Sequence, residues 1–470
     1  MAVINLGELN IKKARELIDK KEISCRELLA LYQKNIKDKN ENVNAFLEVF
    51  DDADEFAERT DKEILSGKEF KELAGIPIAI KDNILIKEKI CSAGSKILEN
   101  YHATYDATVI KKLRDAGAIF IGRTNMDEFA MGCSTENSSY GPTKNPYDLE
   151  RVPGGSSGGS ATAVAIQGAI ASLGSDTGGS IRQPASFCGV VGLKPTYGTV
   201  SRYGLIAMAS SFDQIGPITK SVEDAEIIFN IIRGKDKMDS TSVESRQSSV
   251  VSRQLKIGLL KYDRNGVDKE INDAIDSSVK ILRRLGYEVA EIDMPNLEYA
   301  LACYYILVPA EISANLARFD GVRYGLSIKG ENLMEDYLKT RAEGFGKEVK
   351  RRIMLGTYVL SAGYYDQYYA KAQKVRVLIK KDFERAFKNF DLILSPVSPT
   401  LPFKIGEKVD DPLKMYLSDI FTVSVNLAGL PAISIPFSKN IGVQFIAPWF
   451  REDVLFNIGK QYEQYSGASA

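Results

Sequence analysis

The sequence has 470 residues, and its 61 basic and 62 acidic side chains leave a formal net charge of −1. This balance gives no sign of the basic surface through which proteins hold nucleic acid directly. The five cysteines are scattered without a CxxC pair, which favours a reduced cytoplasmic protein, and we recognise neither a signal peptide nor an apolar run of membrane-spanning length.

The first predicted elements in chain order are helices. Residues 9–36 place apolar side chains at helical spacing among many charges, and Ser24 followed by Glu27 predicts a capping box. A further helix is predicted near residues 52–65. Because this helical N-terminal arm, about 1–65, carries no obvious chemistry, we expect it to serve packing or partner docking.

A strand that ends in a lysine follows the arm. Residues 74–84 (AGIPIAIKDNI) predict a buried strand that reaches Lys81, with Asp82 and Asn83 opening the next turn. A single lysine at the end of a strand is usually a solvated surface side chain. The position of Lys81 in the strand pattern does not by itself argue against that interpretation.

The next segment contains the only histidine of the chain, His102. We predict a surface or capping role for it, because it precedes a helix predicted from Asp106, as N-cap, to residue 117. A strand at 118–124 and a loop at 125–146 come next. A serine nucleophile in this chain therefore lacks an obvious histidine base.

Two glycine–serine clusters, 154–160 (GGSSGGS) and 175–180 (SDTGGS), lie at the centre of the sequence. Glycine leaves backbone N–H groups accessible to a developing charge, and a serine hydroxyl can act as nucleophile or proton relay. Such clusters are often flexible linkers, but these bracket residues 161–173, a small apolar run that predicts a three-turn helix. We therefore favour a buried functional loop. If Ser156 or Ser180 is a nucleophile, its base is a desolvated lysine or a carboxylate.

The remaining segments alternate between helices and strands. A polar, serine-rich stretch at about 234–254 is the best linker candidate, and the dense tyrosines of 358–369 are more typical of core or interface than of ligand binding. The other predicted elements are a helix at 221–232, a strand at 256–260, a helix ending at 284, a strand at 287–294, mostly helix at 297–390, and short strands at 391–396 and 432–437.

Length alone would suggest roughly three domains. The interleaving of strand and helix signals favours instead a single α/β unit over residues 1–470.

Several motifs resemble the amidase signature family. Lys81, Ser156 in GGSSGGS and Ser180 in DTGGSIRQPASFCG occur in the order and spacing of that family, and GLKPTYG follows them. Longer stretches resemble its A-subunit branch from tRNA-dependent amidotransferases: IPIAIKDNI, GRTNMDEFAMGCSTENSSYGPTKNP, ANLARFDGVRYG, EVKRRIMLGTYVLSAGYYDQYY and LAGLPAISIP. The likeness runs from about Leu6 to the C-terminus. It implies an amidase-signature fold, with a central mixed β-sheet flanked by helices on both faces.

The resemblance also implies a Ser–cisSer–Lys triad. Ser180 would be the nucleophile, Ser156, held by a cis peptide bond, would relay the proton, and neutral Lys81 would be the general base. The oxyanion hole would consist of backbone N–H groups from Thr177, Gly178, Gly179 and Ser180.

The substrate implied by the resemblance is glutamine. Its α-carboxylate and α-ammonium call for an arginine and an acid, and the matching positions are Arg352 for the carboxylate and Asp419 for the ammonium. A tyrosine, Tyr305 in preference to Tyr304, would add a hydrogen bond. The alternative interpretation for each is a surface or structural ion pair.

The resemblance further implies a division of labour. This chain would act as the glutaminase of an amidotransferase heterotrimer and pass ammonia to the B subunit, which uses ATP and Mg²⁺ to amidate misacylated Glu-tRNA(Gln) or Asp-tRNA(Asn). A small C subunit would clasp the two, and tRNA would be contacted mainly through the partner. We expect no metal or cofactor on this chain. In particular, GGSSGGS lacks the GK[ST] ending of a P-loop, so we do not expect the chain to bind ATP.

Three other functions stay open. A stand-alone amidase for simple or aromatic amides is disfavoured by Arg352 and Asp419. A non-catalytic scaffold is disfavoured by the intact set of Lys81, Ser156 and Ser180. A glycine-rich nucleotide-binding protein is the most distant alternative.

Overall fold

The structure, a computed structural model, describes residues 4–67, 71–244 and 255–465. Within them the strands are β1 (Phe46–Val49), β2 (Pro77–Lys81), β3 (Ile119–Thr124), β4 (Ala171–Asp176), β5 (Val191–Lys194), β6 (Gln214–Thr219), β7 (Lys256–Leu260), β8 (Glu288–Ile292), β9 (Leu392–Pro396), β10 (Ala432–Ser438) and β11 (Ile441–Ile446). The α-helices are α1 (Ile11–Asp19), α2 (Cys25–Val43), α3 (Ala53–Leu65), α4 (Thr108–Asp115), α5 (Gly158–Ala165), α6 (Arg182–Phe187), α7 (Val222–Ile232), α8 (Lys269–Arg284), α9 (Ala300–Asn315), α10 (Leu333–Gly344), α11 (Lys347–Leu360), α12 (Lys371–Ala386), α13 (Pro412–Leu417), α14 (Val423–Ala428) and α15 (Glu452–Glu463).

The eleven strands form one mixed sheet in the order β1-β3-β2-β4-β6-β5-β10-β11-β9-β7-β8. β2 runs parallel to both β3 and β4, and β7 runs parallel to β8 and β9, whereas the central strands from β4 to β9 pair antiparallel. The carboxyl ends of β2 and β4 therefore meet at one edge of the sheet. The predicted α/β fold with a mixed sheet is confirmed.

Helices cover both faces of this sheet at β10. Successive side chains of a strand point to opposite faces. Ser434 and Ser186 of α6 both lie against Gly442 on one face, whereas the Ile435 side chain lies against Gly459 of α15 on the other. The resulting core is continuous from the N-terminal helices to the C-terminal helix.

Most of the predicted elements form where the sequence indicates. The Ser24–Glu27 capping box opens α2, because the Ser24 hydroxyl accepts the Glu27 N–H while the Glu27 carboxylate accepts the Ser24 N–H. The Ser221 hydroxyl caps α7 by accepting the Asp224 N–H. Residues 4–65 of the helical arm pack their apolar face into the main core.

Two local predictions are wrong. Asp106 does not cap α4; its carboxylate accepts the Lys87 N–H at 2.8 Å, and the helix begins after Ala107. The apolar run 161–173 is not a three-turn helix either. Helix α5 ends at Ala165, the chain turns through Gln167 at φ 62°, and β4 starts at Ala171 between β2 and β6. A strand buried on both faces has the same continuous apolar composition as a buried helix.

The expectation that no apolar segment reaches membrane-spanning length is also wrong. The helical stretch Pro295–Arg318 is long and apolar enough by length and composition. Half of its most apolar window is buried within the protein, where α9 packs against α11, α12 and α14. A core helix with this environment meets the same criterion.

Two other segments bear on the predictions. In the tyrosine-dense segment, Tyr358, Tyr364, Tyr365 and Tyr368 are exposed, so these side chains do not belong to the core. Residues 245–254 of the predicted linker lie outside the described residues. Its first part is anchored by the Asp239 carboxylate, which pairs with Arg202 at 2.8 Å.

Candidate active site

Lys81 is completely buried at the carboxyl end of β2. Its Nζ donates to Ser156 Oγ at 2.8 Å, to Ser157 Oγ at 2.8 Å and to Ser175 Oγ at 2.9 Å. Lys81 is therefore not a solvated surface lysine, because three serine hydroxyls enclose its amine. The parallel pairing of β2 with β4 causes this, because it places the end of β4 beside Lys81.

Burial lowers the pKa of Lys81 to about 7, although the carboxylates of Asp127, Asp176 and Asp213 act in the opposite direction. Removing an ammonium from water disfavours its charged form. A large fraction of Lys81 is therefore neutral near pH 7, and a neutral amine has the lone pair that a general base needs.

Ser156 follows a cis peptide bond between Gly155 and Ser156, which agrees with the cis serine that the resemblance implies. The neighbouring chain explains why a glycine stands at 155: a Cβ there would lie 2.2 Å from Asp127 Oδ2. That Asp127 carboxylate accepts the N–H groups of Thr135 at 2.9 Å and Asn137 at 3.1 Å. A glycine is needed where another group approaches the backbone this closely.

Ser180 lies between the end of β4 and α6 and is 7% exposed. Its carbonyl oxygen accepts the Ser157 N–H at 3.1 Å, which holds the two glycine–serine clusters side by side. In the described part of the chain no hydrogen bond joins the hydroxyls of Ser156 and Ser180 directly. His102 is exposed, and its Nδ1 lies 3.2 Å from the Asn100 carbonyl oxygen rather than beside either serine.

The loop that precedes Ser180 is tied down by Asp176. The Asp176 carboxylate accepts the Gly179 N–H at 2.8 Å and the Ile181 N–H at 3.2 Å. Gly179 has φ 140°, and a Cβ there would lie 2.3 Å from Thr422 Oγ1. Because its N–H is already engaged, Gly179 does not offer the oxyanion-hole donor that the resemblance implies.

The N–H groups of Thr177, Gly178 and Ser180 make no hydrogen bond to any described residue, so they stay available as donors. Side chains hold the loop around them. Thr177 Oγ1 donates to Asp213 Oδ1 at 2.6 Å, and Thr422 Oγ1 donates to the Gly178 carbonyl at 2.6 Å. Preorganised donors of this kind stabilise an oxyanion because they need no reorganisation during the reaction.

A buried ion pair between Asp176 and Arg182 supports the same loop. The Arg182 guanidinium donates to both oxygens of Asp176 at 3.0 Å, and neither side chain is exposed. Arg182 also donates to Gln444 Oε1 and to Asn426 Oδ1, each at 2.6 Å. Burial alone would raise the pKa of Asp176, but the adjacent Arg182 holds that pKa below its usual range. The carboxylate is therefore charged whenever the protein is folded near neutral pH.

Two of the three predicted substrate-binding residues, Arg352 and Tyr305, line an open cavity of about 260 Å³, and the third, Asp419, contacts Tyr305. The Tyr305 hydroxyl donates to Asp419 Oδ2 at 3.3 Å, and the Arg352 guanidinium carbon lies 5.2 Å from the centre of the Tyr305 ring. Burial raises the pKa of Asp419 to about 7, against the lowering effect of Arg352 and of the Tyr305 hydrogen bond. Tyr304 has a different place: its hydroxyl would contact a Cβ at Gly178.

Several contacts of the site were not anticipated from the sequence. Ser157 and Ser175 contribute their hydroxyl oxygens to the shell around Lys81, and Asp127 lies against the cis peptide. Ser157 and Ser175 stand inside the two motifs already singled out, so their position was visible although their contacts were not. Within the described residues, no group of three or more His, Cys, Asp or Glu side chains is arranged to hold a metal ion.

Comparisons with known proteins agree with this geometry. The family model described as Amidase matches residues 27–456. The A subunit of glutamyl-tRNA(Gln) amidotransferase from Thermodesulfovibrio yellowstonii is 54% identical over 98% of this chain and 98% of its own length, and that from Carboxydothermus hydrogenoformans is 53% identical over 98% of each chain.

Solved structures give the same result. The crystal structure of the A subunit of glutamyl-tRNA(Gln) amidotransferase from Thermotoga maritima shares 42% identity, with a TM-score of 0.82 over 99% of this chain and 97% of that one. A 6-aminohexanoate cyclic dimer hydrolase with bound substrate shares 26% identity, with a TM-score of 0.85 over 99% of both chains. This chain therefore belongs to the amidase family.

Proposed function

We propose that this protein is the glutamine-hydrolysing A subunit of a tRNA-dependent amidotransferase. The observation that carries the proposal is the buried Lys81 amine, 2.8 Å from the hydroxyl of cis Ser156 and beside the cluster that bears Ser180. The full-length similarity to relatives named as the A subunit of glutamyl-tRNA(Gln) amidotransferase supports the choice of glutamine over other amides.

The reaction begins with attack of Ser180 Oγ on the carboxamide carbon of glutamine. The hydroxyl proton passes to Ser156, whose own proton passes to the neutral Lys81 amine. The N–H groups of Thr177, Gly178 and Ser180 stabilise the tetrahedral oxyanion, and each such donor is worth about 2.7–4 kcal/mol of barrier.

The intermediate then expels its nitrogen. Lys81 returns the proton through Ser156, the C–N bond breaks, and ammonia leaves behind a γ-glutamyl ester on Ser180. Water, deprotonated along the same relay, attacks the ester and releases glutamate with Ser180 restored.

Glutamine recognition rests on the cavity beside this centre. Arg352 binds the α-carboxylate, Asp419 binds the α-ammonium, and Tyr305 supports Asp419 through its hydroxyl. Arginine is suited to the carboxylate because its planar fork donates two parallel hydrogen bonds.

In this proposal the chain works within a cytoplasmic heterotrimer of A, B and C subunits. The B subunit receives the ammonia and uses ATP and Mg²⁺ to amidate Glu-tRNA(Gln), or Asp-tRNA(Asn), and the C subunit completes the assembly. The A subunit itself holds no cofactor, and tRNA contacts it mainly through its partner.

The test is ammonia release by the purified full-length chain from glutamine, asparagine and a panel of aliphatic and aromatic amides, with Ser180→Ala as the blank. We expect a preference for glutamine that disappears in the variant. A preference for simple amides would instead assign the chain to the stand-alone amidases. Glutamine turnover that survives in Ser180→Ala would remove Ser180 from the mechanism.

A further inference from the structure

Arg352 is almost completely buried, yet among the described residues only its Nε donates a hydrogen bond. Its Nε donates to Glu348 Oε1 at 2.7 Å. Its two terminal amino groups have no hydrogen-bond partner among the described residues, and the side chain lines the open cavity. Because these terminal N–H groups are not among the solvent-excluded atoms without a partner, they stay accessible for a ligand that enters the cavity.

Glu348 fixes the orientation of that guanidinium. It lies one helical turn before Arg352 on α11, a spacing at which side chains meet on one helix face. Its Oε1 also accepts the Tyr416 hydroxyl at 2.8 Å, and its Oε2 pairs with Arg351. Both carboxylate oxygens are therefore engaged, which leaves Glu348 as a holder of Arg352 rather than a free ligand for a substrate amine.

Tyr416 links this pair to Asp419 through Tyr305. Its ring stacks on Tyr305 with the ring centres 3.8 Å apart. The Arg352 guanidinium carbon lies 5.3 Å from the Tyr416 ring centre, within the range of cation–π attraction. Since Tyr305 donates to Asp419, the groups for the substrate carboxylate and ammonium belong to one connected unit.

We propose that Glu348 and Tyr416 are positioning residues that hold Arg352 so that its terminal amino groups select amides carrying an α-carboxylate. The inference rests on the proposed glutaminase function and deepens it. Glu348 orients the guanidinium through its hydrogen bond to Nε. Tyr416 holds Glu348 by a second hydrogen bond, and its ring stacks on Tyr305 next to the guanidinium. Selectivity for the carboxylate therefore depends on two side chains that need not touch the substrate.

Three substrates test the α-carboxylate and the α-ammonium of glutamine separately. Glutamine carries both the α-carboxylate and the α-ammonium, glutaramate carries the carboxylate without the amine, and 4-aminobutanamide carries the amine without the carboxylate. The variants are Glu348→Gln and Tyr416→Phe, which keep the size of each side chain. The matched controls are the exposed residues Glu343 and Tyr365, changed to Glu343→Gln and Tyr365→Phe.

Binding is measured by calorimetry in the full-length chain with Ser180→Ala, so that turnover does not interfere. Because hydrogen bonds to charged groups are stronger than those between neutral groups, we expect Glu348→Gln to weaken the binding of glutamine and glutaramate by about tenfold to a hundredfold. We expect about threefold to tenfold for Tyr416→Phe, which removes a single hydrogen bond. Binding of 4-aminobutanamide is expected to stay within about twofold, as is binding of every substrate to the controls.

Steady-state kinetics with Ser180 intact provide the second measurement. KM for the two carboxylate-bearing substrates should rise in parallel with Kd, while kcat changes little. A similar loss for all three substrates, or a fall in kcat alone, would overturn the positioning role, because it would indicate a general disturbance of α11.

The parent chain distinguishes this inference from the proposed function. If the parent binds 4-aminobutanamide as tightly as glutamine, the glutaminase assignment fails together with the inference. If the parent prefers the carboxylate-bearing substrates and Glu348→Gln keeps that preference, the inference alone fails.

Discussion

The catalytic centre and the substrate-binding cavity of this protein are built in different ways. Lys81, Ser156 and Ser180 are buried at the carboxyl ends of two parallel strands, and the buried side chains of Asp176 and Thr422 hold the loop around them. The cavity is open, and the polar groups that line it are side chains from α9, α11, the segment around α13 and the loop at 132–137.

This difference has a physical consequence. Substitution in the catalytic centre removes a group that takes part in the reaction or leaves a buried charge without its partner. The resulting losses of activity or of folding stability are large. Substitution in the cavity removes substrate-binding contacts, and such losses appear in KM while the reactivity of the serine is kept. Four measurements test this division.

The largest effect is expected for Lys81→Ala. Loss of the general base, together with the three serine hydroxyl contacts of Nζ, should lower kcat/KM for glutamine by about 10⁴-fold. Ser156→Ala should be severe but smaller. The measurement is ammonia release under steady-state conditions. The matched control is Lys220→Ala, since Lys220 donates to the Leu6 carbonyl at 2.6 Å far from the serines; near-normal rates in Lys81→Ala would disprove the lysine base.

A large loss of stability is expected for Arg182→Gln. It leaves the Asp176 carboxylate buried without its ionic partner, which should lower the free energy of unfolding by about 3–5 kcal/mol. Urea unfolding followed by circular dichroism measures it. For comparison, Arg264→Gln breaks a half-exposed pair with Asp276 at 2.8 Å and should cost at most about 1 kcal/mol. Equal losses in the two variants would contradict a structural role of the buried pair.

In the cavity, Arg352→Ala should raise KM for glutamine by about a hundredfold, the loss expected for a bidentate carboxylate contact worth ~3 kcal/mol. Acylation of Ser180 by a small activated ester should proceed at its normal rate. The control Arg284→Ala changes an exposed arginine of α8. A parallel loss of Ser180 acylation would show that Arg352 supports the catalytic centre as well. The proposed division between catalytic and substrate-binding residues would then be wrong.

The pH dependence separates the regions within one experiment. Lys81 must be neutral to act as base, and its pKa is about 7, so kcat/KM for glutaramate should rise about tenfold per pH unit below that value and level off above it. Asp419 must be charged to bind an ammonium, and its pKa is also about 7. The rise for glutamine should therefore be steeper than the rise for glutaramate. Identical slopes would exclude Asp419 as the ammonium ligand.

The sequence is most informative where a motif contains several neighbouring candidate groups. Ser156, Ser180 and the glycines between and before them stand close together in the chain, and the apolar residues before Lys81 correctly predict a buried strand. The run 161–173 failed because small apolar residues suit a buried helix and a doubly buried strand equally well, and only the pairing of β4 with its neighbours decides between them.

Individual contacts were harder to predict, both within a loop and between distant parts of the chain. That the Gly179 N–H is taken by Asp176 depends on how the loop turns after β4. Glu348 and Tyr416 are separated by many residues, and their hydrogen bond joins α11 to α13. Nothing in the sequence around either residue identifies the partner.

The sequence by itself determined the α/β class, the amidase motifs and the residue types that the chemistry requires, because these depend on local composition and spacing. Only the tertiary structure decided that Lys81 is removed from solvent, that three of the four loop N–H groups stay available, and that Arg352 lines the cavity while its Nε is held by Glu348. Each of these depends on which strands and helices become neighbours, and burial, pKa and hydrogen bonding follow from those neighbours.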